Sequence, residues 1–246
     1  MVDTEQVRLQ KFLAAQGVAS RRQVEAMIVD GAIRVNGTIA TLGTKVDPAR
    51  DRVTVRGRAA VSRTTGPVTL LVNKPRGLIC SHSDPHHTRT IYNLIPPPWN
   101  RQRLLCAGRL DKESDGMVIL TSDGDLMQRL THPAHRVVKR YLVTLSRPFQ
   151  PAHRNLILDG IVDDDERLRA EKIVPVKRGR NAECSLEVHL EHGRKREIRR
   201  LFEHFGYFVE RLHRFQIGSL QLRGVGPGRV RALSRAEIER LFENPS

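Results

Sequence analysis

Cysteine is scarce: Cys80, Cys106 and Cys184 are the only three in 246 residues. An odd number so widely spaced supports neither a disulfide framework nor a paired-cysteine zinc site, and it fits a reducing compartment. Long apolar runs are missing too. No stretch approaches the roughly 20 residues that a membrane helix needs, and Met1-Val2-Asp3-Thr4-Glu5-Gln6 has no signal-peptide core. The expected location is therefore cytoplasmic, with no membrane partner. Negative charge is in short supply, since 27 Asp+Glu stand against 42 Lys+Arg for a net charge of +15 and a pI near 10.7. Such a surplus favours polyanionic partners, although nucleic acid, heparin-like polymers and acidic membranes would all answer to it. Gly224-Val225-Gly226-Pro227-Gly228 lacks the Lys-Ser/Thr that completes a phosphate-binding loop, so it is read as a turn.

The length allows one sizeable core plus a second small module. Residues 6–58 read as that module. Leu9, Phe12 and Leu13 recur at helical spacing and Gly17 stops them. Ser20 and Gln23 form a capping-box pair for a second helix, whose apolar face is Val24, Met27 and Ile28 and whose stop is Gly31. Ile33-Arg34-Val35, Asn36-Gly37 and Thr38-Ile39-Ala40 follow as a hairpin, with Asn-Gly at the two positions that need positive φ. Arg52-Val53-Thr54-Val55 adds a strand. Arg21 and Arg22 stand in the first turn of the second helix, where the macrodipole disfavours cations by roughly a few tenths of a kcal/mol. Either they are simply solvated or they share a phosphate with the unpaired N–H groups.

Residues 59–67 lack periodicity and are polar, small or helix-breaking, so they are taken as a linker, and 68–246 as the main domain. Val68–Val72 reads as a buried strand running into the basic turn Asn73-Lys74-Pro75-Arg76-Gly77, with a further strand at Leu78–Ser81. His82-Ser83-Asp84-Pro85-His86-His87 offers metal-ligand types, but its spacing fits no zinc pattern and its proline makes it a loop brushing substrate. Thr90–Trp99 is a short helical turn stopped by prolines.

The stretch around which the domain is organised is Gly108-Arg109-Leu110-Asp111-Lys112-Glu113-Ser114-Asp115-Gly116. Apolar residues lead in at Leu104–Ala107 and out at Met117–Leu120, so two short buried strands are joined by a polar connection. Asp111 then stands at a strand end with Arg109 on its side of the chain, and Asp115-Gly116 supplies the turn. This is either a surface salt bridge on a hairpin or a mounted catalytic carboxylate. Downstream, Leu126, Met127 and Leu130 seed a helix after Asp123-Gly124, and Lys139–Leu145 alternates as a strand with Tyr141, Val143 and Leu145 on one face. Asp163-Asp164-Asp165-Glu166 reads as a solvated charge run, not a cation site. Residues 183–190 form another strand, and Arg194–Gly206 follows a helical pattern with Ile198, Leu201, Phe202 and Phe205 inward. Arg196 and Arg200 face away, while Arg199 borders the apolar stripe, where an inward turn would demand an opposite partner. A strand over Arg211–Gly218 and a last helix capped by Ser234 and Glu237 complete the chain.

Arg8-Leu9-x-Lys11-Phe12-Leu13-Ala14, Gly17, Ser20-Arg21-Arg22, Gly31 and Ile33-x-Val35-Asn36-Gly37 resemble the S4 domain, a small RNA-binding module. The resemblance implies that Arg8, Lys11, Arg21 and Arg22 meet backbone phosphates without reading bases. Asn73-Lys74-Pro75-Arg76-Gly77, Gly108-Arg109-Leu110-Asp111, Lys139-Arg140-Tyr141 and Gly193–Arg200 occur in the order seen in RNA pseudouridine synthases, and Val209-Glu210-Arg211-Leu212-x-Arg214 agrees as well. The chain resembles the RsuA/RluB branch, which carries an N-terminal S4 domain. Ser114 departs from the usual threonine, Met117-Val118-Ile119 from a leucine run and Ser122 from a common asparagine. None of these changes removes a group with a chemical role.

That resemblance implies an α+β protein with a mixed, mainly antiparallel catalytic sheet. It implies isomerisation of a uridine in ribosomal RNA, by preference the large subunit, on rRNA or a pre-ribosomal particle, by a monomer without cofactor or metal. Asp111, Tyr141 and Arg199 become the catalytic residues, with Arg199 the ionic partner of Asp111. Arg109, Leu212, Lys74, Arg196 and Arg200 are expected at the substrate. Two rival readings are a glycosidase using Asp111 and Asp115 and a non-catalytic RNA-binding or ribosome-assembly factor. The first leaves Tyr141, Arg199 and the module unexplained, and the intact motif set argues against the second.

Overall fold

The computed structural model describes residues 6–60, 66–82, 89–177, 179 and 182–244. The chain separates into two units, Met1–Pro67 and Val68–Ser246. In the first, β1 (Val7–Arg8) leads into α1 (Leu9–Ala15), and α2 (Arg21–Val29) follows. Ser20 Oγ accepts the Gln23 N–H at 3.1 Å while Gln23 Oε1 accepts the Ser20 N–H at 2.9 Å, the reciprocal cap their spacing predicts. β2 (Ile33–Val35) turns through Asn36-Gly37 into β3 (Thr38–Ile39). The two turn residues have φ of 51° and 85°, as a two-residue hairpin requires. β4 (Lys45–Val46) pairs with β1, β5 (Val53–Val55) with β2, and β6 (Arg58–Ala59) with β5. Leu9, Leu13, Val24, Ile28, Ile33 and Val46 make this unit's own core.

The second unit contains β7 (Thr69–Lys74), β8 (Leu105–Ala107), β9 (Asp115–Thr121), α3 (Gly124–Thr131), β10 (Lys139–Leu145) and α4 (Ala152–Asp159). A separate hairpin of β11 (Ile161–Asp163) and β12 (Glu166–Leu168) follows. Then come β13 (Lys172–Pro175), β14 (Ser185–Leu190), α5 (Glu197–Glu203), β15 (Val209–Ile217), β16 (Leu220–Gln221), β17 (Val230–Ala232) and α6 (Arg235–Arg240). Among the described residues nine strands form one sheet in the order β13-β14-β10-β15-β9-β7-β17, with β16 on β15 and β8 on β9. Only β15 and β9 run parallel; the other pairs are antiparallel.

One face of this sheet, with Tyr141, Val143, Val188 and Leu212, packs against Ile157 of α4 and Ile198, Leu201 and Phe202 of α5. The other face, with Leu71, Met117 and Ile119, packs against Leu126 and Leu130 of α3 and Leu241 after α6. Each such fully buried apolar side chain contributes about 1.5–3 kcal/mol, so packing on both faces holds the sheet in place. Several sequence expectations change here. Asn73 and Lys74 close β7, and the turn falls at Arg76-Gly77, where Gly77 has φ of 89°. Leu78–Ser81 makes only an isolated bridge, Ile79 to Thr90. The helix expected over Arg194–Gly206 shortens to α5, because Arg196 takes a left-handed φ of 53° before it.

Candidate active site

The feature that positions the site is a fork on one edge of β9. At its start β9 pairs with β15 through His213↔Asp115 and Arg214↔Gly116. At its end the same strand pairs with β8 through Ala107↔Ile119, Cys106↔Leu120 and Leu105↔Thr121. The connection carrying Asp111 springs from the gap between the two partners. It tightens at residues 111–114, where the Ser114 N–H donates to Asp111 O at 3.1 Å. Asp111 is therefore on an exposed turn beyond β8, not at a strand end. Asp115-Gly116 does not form the turn but opens β9.

Lys74 lies beneath this turn. Its Nζ donates to Ser114 O at 2.6 Å, Pro75 O at 3.1 Å and Lys112 O at 3.4 Å. An ammonium has three donors, and with all three engaged and the side chain fully buried Lys74 has nothing left for a substrate. It braces the loop from behind, a correction to the expected substrate contact. Burial pushes its pKa down, opposed by the Cys80 sulfur and the carboxylates of Asp115, Glu113 and Asp111.

Tyr141 is buried on the alternating face of β10, and its register partner on β15 is Arg214. Arg214 Nη1 donates to the Tyr141 hydroxyl at 3.4 Å, Nε to Met117 O at 2.7 Å and Nη2 to Gly108 O at 2.6 Å. Leu212 occupies the same face two residues earlier, in register with Val143. Arg214 received no role from the sequence, although the inward alternation Leu212, Arg214, Gln216 carried the signal: all three are buried.

Arg199 on α5 is only 7% exposed. Its Nη1 donates to Val209 O at 2.7 Å, while Nε and Nη2 are buried with no hydrogen-bond partner among the described residues. Burial, reinforced by Arg196, lowers its pKa, and Asp111, Glu203 and Glu113 act in the opposite direction. The expected Asp111–Arg199 ion pair is not formed among the described residues; the two groups interact electrostatically at longer range.

The remaining cations divide. Arg109 and Arg196 are exposed, the latter 3.7 Å from Glu203. Arg200, expected at the substrate, is gripped by the β11–β12 hairpin: Nε donates to Asp163 Oδ2, Nη2 to Asp163 O at 2.6 Å and Nη1 to Glu166 Oε2 at 2.5 Å. Those carboxylates raise its pKa, and they account for much of the acidic run that the sequence left as solvated. Asp115 is tied to His213 Nδ1 and, at 3.4 Å, to Arg211 Nε. Burial would raise the Asp115 carboxyl, but those two partners prevail and hold it below the usual range.

Cys80 and Cys106 share a thiol contact that lowers the pKa of Cys80, which also accepts the Leu110 N–H, and raises that of Cys106. His82 stacks on Tyr92 at 3.8 Å between ring centroids; residues 83–88 of its loop lie outside the described residues. Among the described residues no three His, Cys, Asp or Glu side chains gather to hold a metal, and no helix is long and apolar enough to cross a membrane. In the first unit Arg21 and Arg22 are exposed on the first turn of α2, Arg8 is exposed with Nη1 donating to Gly43 O at 2.8 Å, and Lys11 is half-buried on α1.

Comparison with known proteins places this architecture. Residues 68–204 match the family described as RNA pseudouridylate synthase, and residues 7–53 match the S4 domain. An RNA pseudouridine synthase of Mycobacterium tuberculosis is 39% identical, with 96% of this chain and 93% of that protein covered. The ribosomal large subunit pseudouridine synthase B of Pseudomonas aeruginosa is 34% identical, with 96% of this chain and 62% of that protein covered. A crystal structure of a pseudouridylate synthase superposes with a TM-score of 0.68 at 30% identity, covering 96% of this chain and 99% of that one. The chain belongs to the RNA pseudouridylate synthase family and carries an S4 domain at its N-terminal end.

Proposed function

We propose that this enzyme converts one uridine of ribosomal RNA, in the large subunit, to pseudouridine, with Asp111 as the catalytic carboxylate. The observation that carries the site assignment is Arg199, a buried guanidinium with two unpartnered donors that senses the exposed Asp111 carboxylate. The relatives named as large-subunit enzymes support the substrate class. In the reaction the C1′–N1 bond breaks, the uracil turns, C5 bonds to C1′, the C5 proton leaves and N1 takes up a proton. Atoms balance without an oxidant or a co-substrate, so the reading needs neither metal nor redox cofactor. Asp111 acts at the sugar, either as nucleophile at C1′ or as base at the C2′ proton. Arg199 supplies the opposite charge, and the carboxylate approaches its spare donors when the loop closes on a nucleotide. Tyr141 stacks on the uracil and relays the C5 proton, and Leu212 packs beside the base.

A paired or stacked uridine hides these atoms, so the nucleotide is flipped out of its helix. Arg109 and Arg196, both exposed, hold the flanking phosphates. Arg8, Lys11, Arg21 and Arg22 of the S4 domain anchor the RNA backbone elsewhere. The enzyme works as a cytoplasmic monomer on rRNA or a pre-ribosomal particle. The test is release of tritium from C5-labelled rRNA taken from cells lacking the gene, offered both stripped and as precursor particles. Wild type should release it and Asp111→Asn should not; equal pseudouridine content with both would remove Asp111 from the chemistry. Mapping pseudouridine in rRNA with and without the gene identifies the target.

A further inference from the structure

The fork that frees the Asp111 loop also creates a structural problem. Along one edge of β9 the ladder to β15 ends at Gly116 and the ladder to β8 begins at Ile119. The carbonyl of Met117 falls in the gap, and Gly108 O lies just past the end of β8. A buried carbonyl without a donor costs about 1–3 kcal/mol. Arg214 fills both needs: it reaches Met117 O at 2.7 Å with Nε and Gly108 O at 2.6 Å with Nη2. It is 1% exposed, and no carboxylate among the described residues lies within ion-pair range of it. The third donor, Nη1, faces the Tyr141 hydroxyl at 3.4 Å.

Gly116 fits the same design. Its φ is +110°, and a Cβ there would fall 2.3 Å from Arg214 O and 2.8 Å from Arg214 N. Only glycine lets β9 close onto the Arg214 backbone and bring the guanidinium under the loop.

We propose that Arg214 is a positioning residue for the isomerisation: its guanidinium staples the sheet fork and thereby holds the Asp111 loop and the Tyr141 phenol at one separation. This rests on the assignment of Asp111 and Tyr141 above. A planar guanidinium addresses three acceptors in three directions, which an ammonium on a flexible stem does not reproduce. Arg214→Lys keeps the charge and loses that geometry. Because displacement of about 1 Å costs on the order of 10²-fold in rate, Arg214→Lys should lower the single-turnover rate of C5 tritium release by about 10²-fold. Its RNA Kd should stay within about twofold of wild type, since Arg214 is buried away from RNA. In a Tyr141→Phe background the same change should cost much less, because the two residues act as one unit.

A folded Arg214→Lys enzyme at the wild-type rate would overturn the proposal, as would losses that simply multiply with those of Tyr141→Phe. If Arg214→Lys does not fold, Tyr141→Phe alone decides. Tyr141→Phe should shift the backbone amide resonances of Gly108–Asp111 through the guanidinium, and an unmoved loop overturns the coupling. Absence of tritium release by wild type would instead remove the enzymatic reading, and full activity of Asp111→Asn the site reading, so the failures are separable.

Discussion

Replacing Arg199 by methionine should make the protein more stable and catalytically inert. The guanidinium is 7% exposed and makes one hydrogen bond, to Val209 O. Its other two nitrogens are buried and unpartnered among the described residues. Removing an ion from water costs several kcal/mol, recovered only when a partner and further hydrogen bonds compensate. Each unmet donor adds about 1–3 kcal/mol. Methionine keeps an unbranched stem in the same space and abolishes both costs. Against this stand the lost hydrogen bond, about 1.5–3 kcal/mol, and an unmet Val209 carbonyl, about 1–3 kcal/mol. The balance is a gain of about 1–3 kcal/mol.

At about 2–4 °C per kcal/mol for a domain of this size, Tm should rise by roughly 2–12 °C. Urea unfolding is the primary assay, with an unchanged m-value as the control that the same surface is exposed. If Asp111 is the catalytic carboxylate as proposed, C5 tritium release should fall by about 10²-fold or more, since the opposite charge that Arg199 offers it acts on the reaction itself. Destabilisation beyond about 1 kcal/mol at unchanged m would refute the reasoning, for it would mean that Arg199 is already compensated in the folded protein.

Three further outcomes follow from the same kind of accounting. Lys139 is buried, with its Nζ on Val137 O at 2.9 Å and Glu191 O at 3.2 Å, and burial, aided by Arg214, pushes its pKa down to about 8. A depressed folded-state pKa contributes stability above the unfolded value that is lost as pH falls towards the folded one. Wild type should therefore gain up to ~3 kcal/mol on Lys139→Met between pH 7 and 10.5, and a pH-independent difference would exclude the shift. Asp115, held below the usual carboxylate range by His213 and Arg211, should stabilise at neutral pH and stop doing so as pH falls through the carboxylate range. The gap between wild type and Asp115→Asn in urea should then close, and a constant gap counts against the ion pair. Arg21→Ala with Arg22→Ala should weaken RNA binding and flatten its salt dependence by up to about two phosphate contacts; an unchanged slope puts these arginines away from RNA.

What could be read in advance was local. Lys139–Leu145 has its expected bounds because alternation over seven residues is a two-periodic signal that tertiary contacts reinforced. Ser20 with Gln23 and Ser234 with Glu237 cap helices as their spacing predicts. Asn36-Gly37 makes its hairpin for the same reason, its conformation being a property of two residues. Asp115-Gly116 misled because glycine serves two purposes. A positive φ suits a turn, and it equally suits a strand whose neighbour approaches too closely for a Cβ, which is the case against Arg214. The helix after Gly193 was read too long, since periodicity does not reveal that Arg196 would adopt a left-handed conformation. Arg200 and the acidic run at 163–166 are each legible as charges, but their pairing depends on a hairpin 34–37 residues away. The fork between β8 and β15 has no sequence signature, so the arginine that closes it could be recognised only as an inward-pointing charge without a purpose.

Three buried cations thus surround a loop whose own carboxylate is exposed, and their hydrogen bonds assign them different tasks. Lys74 commits all three donors to main-chain carbonyls of the turn and its neighbour. Arg214 commits its donors to two more carbonyls and a phenol. Carbonyl dipoles tolerate a cation without neutralising it, so both keep their charge while fixing the backbone on either side of Asp111, and Lys74 feels the Asp111 carboxylate. Among the three, Arg199 alone has buried nitrogens with no hydrogen-bond partner among the described residues. An approaching anion therefore finds one cation with two nitrogens unpartnered and two whose nitrogens are all engaged. The uncompensated charge of Arg199 is a stability cost, and the carboxylate that acts on it electrostatically is Asp111, which is where the proposed isomerisation, separating charge between sugar and base, would use it.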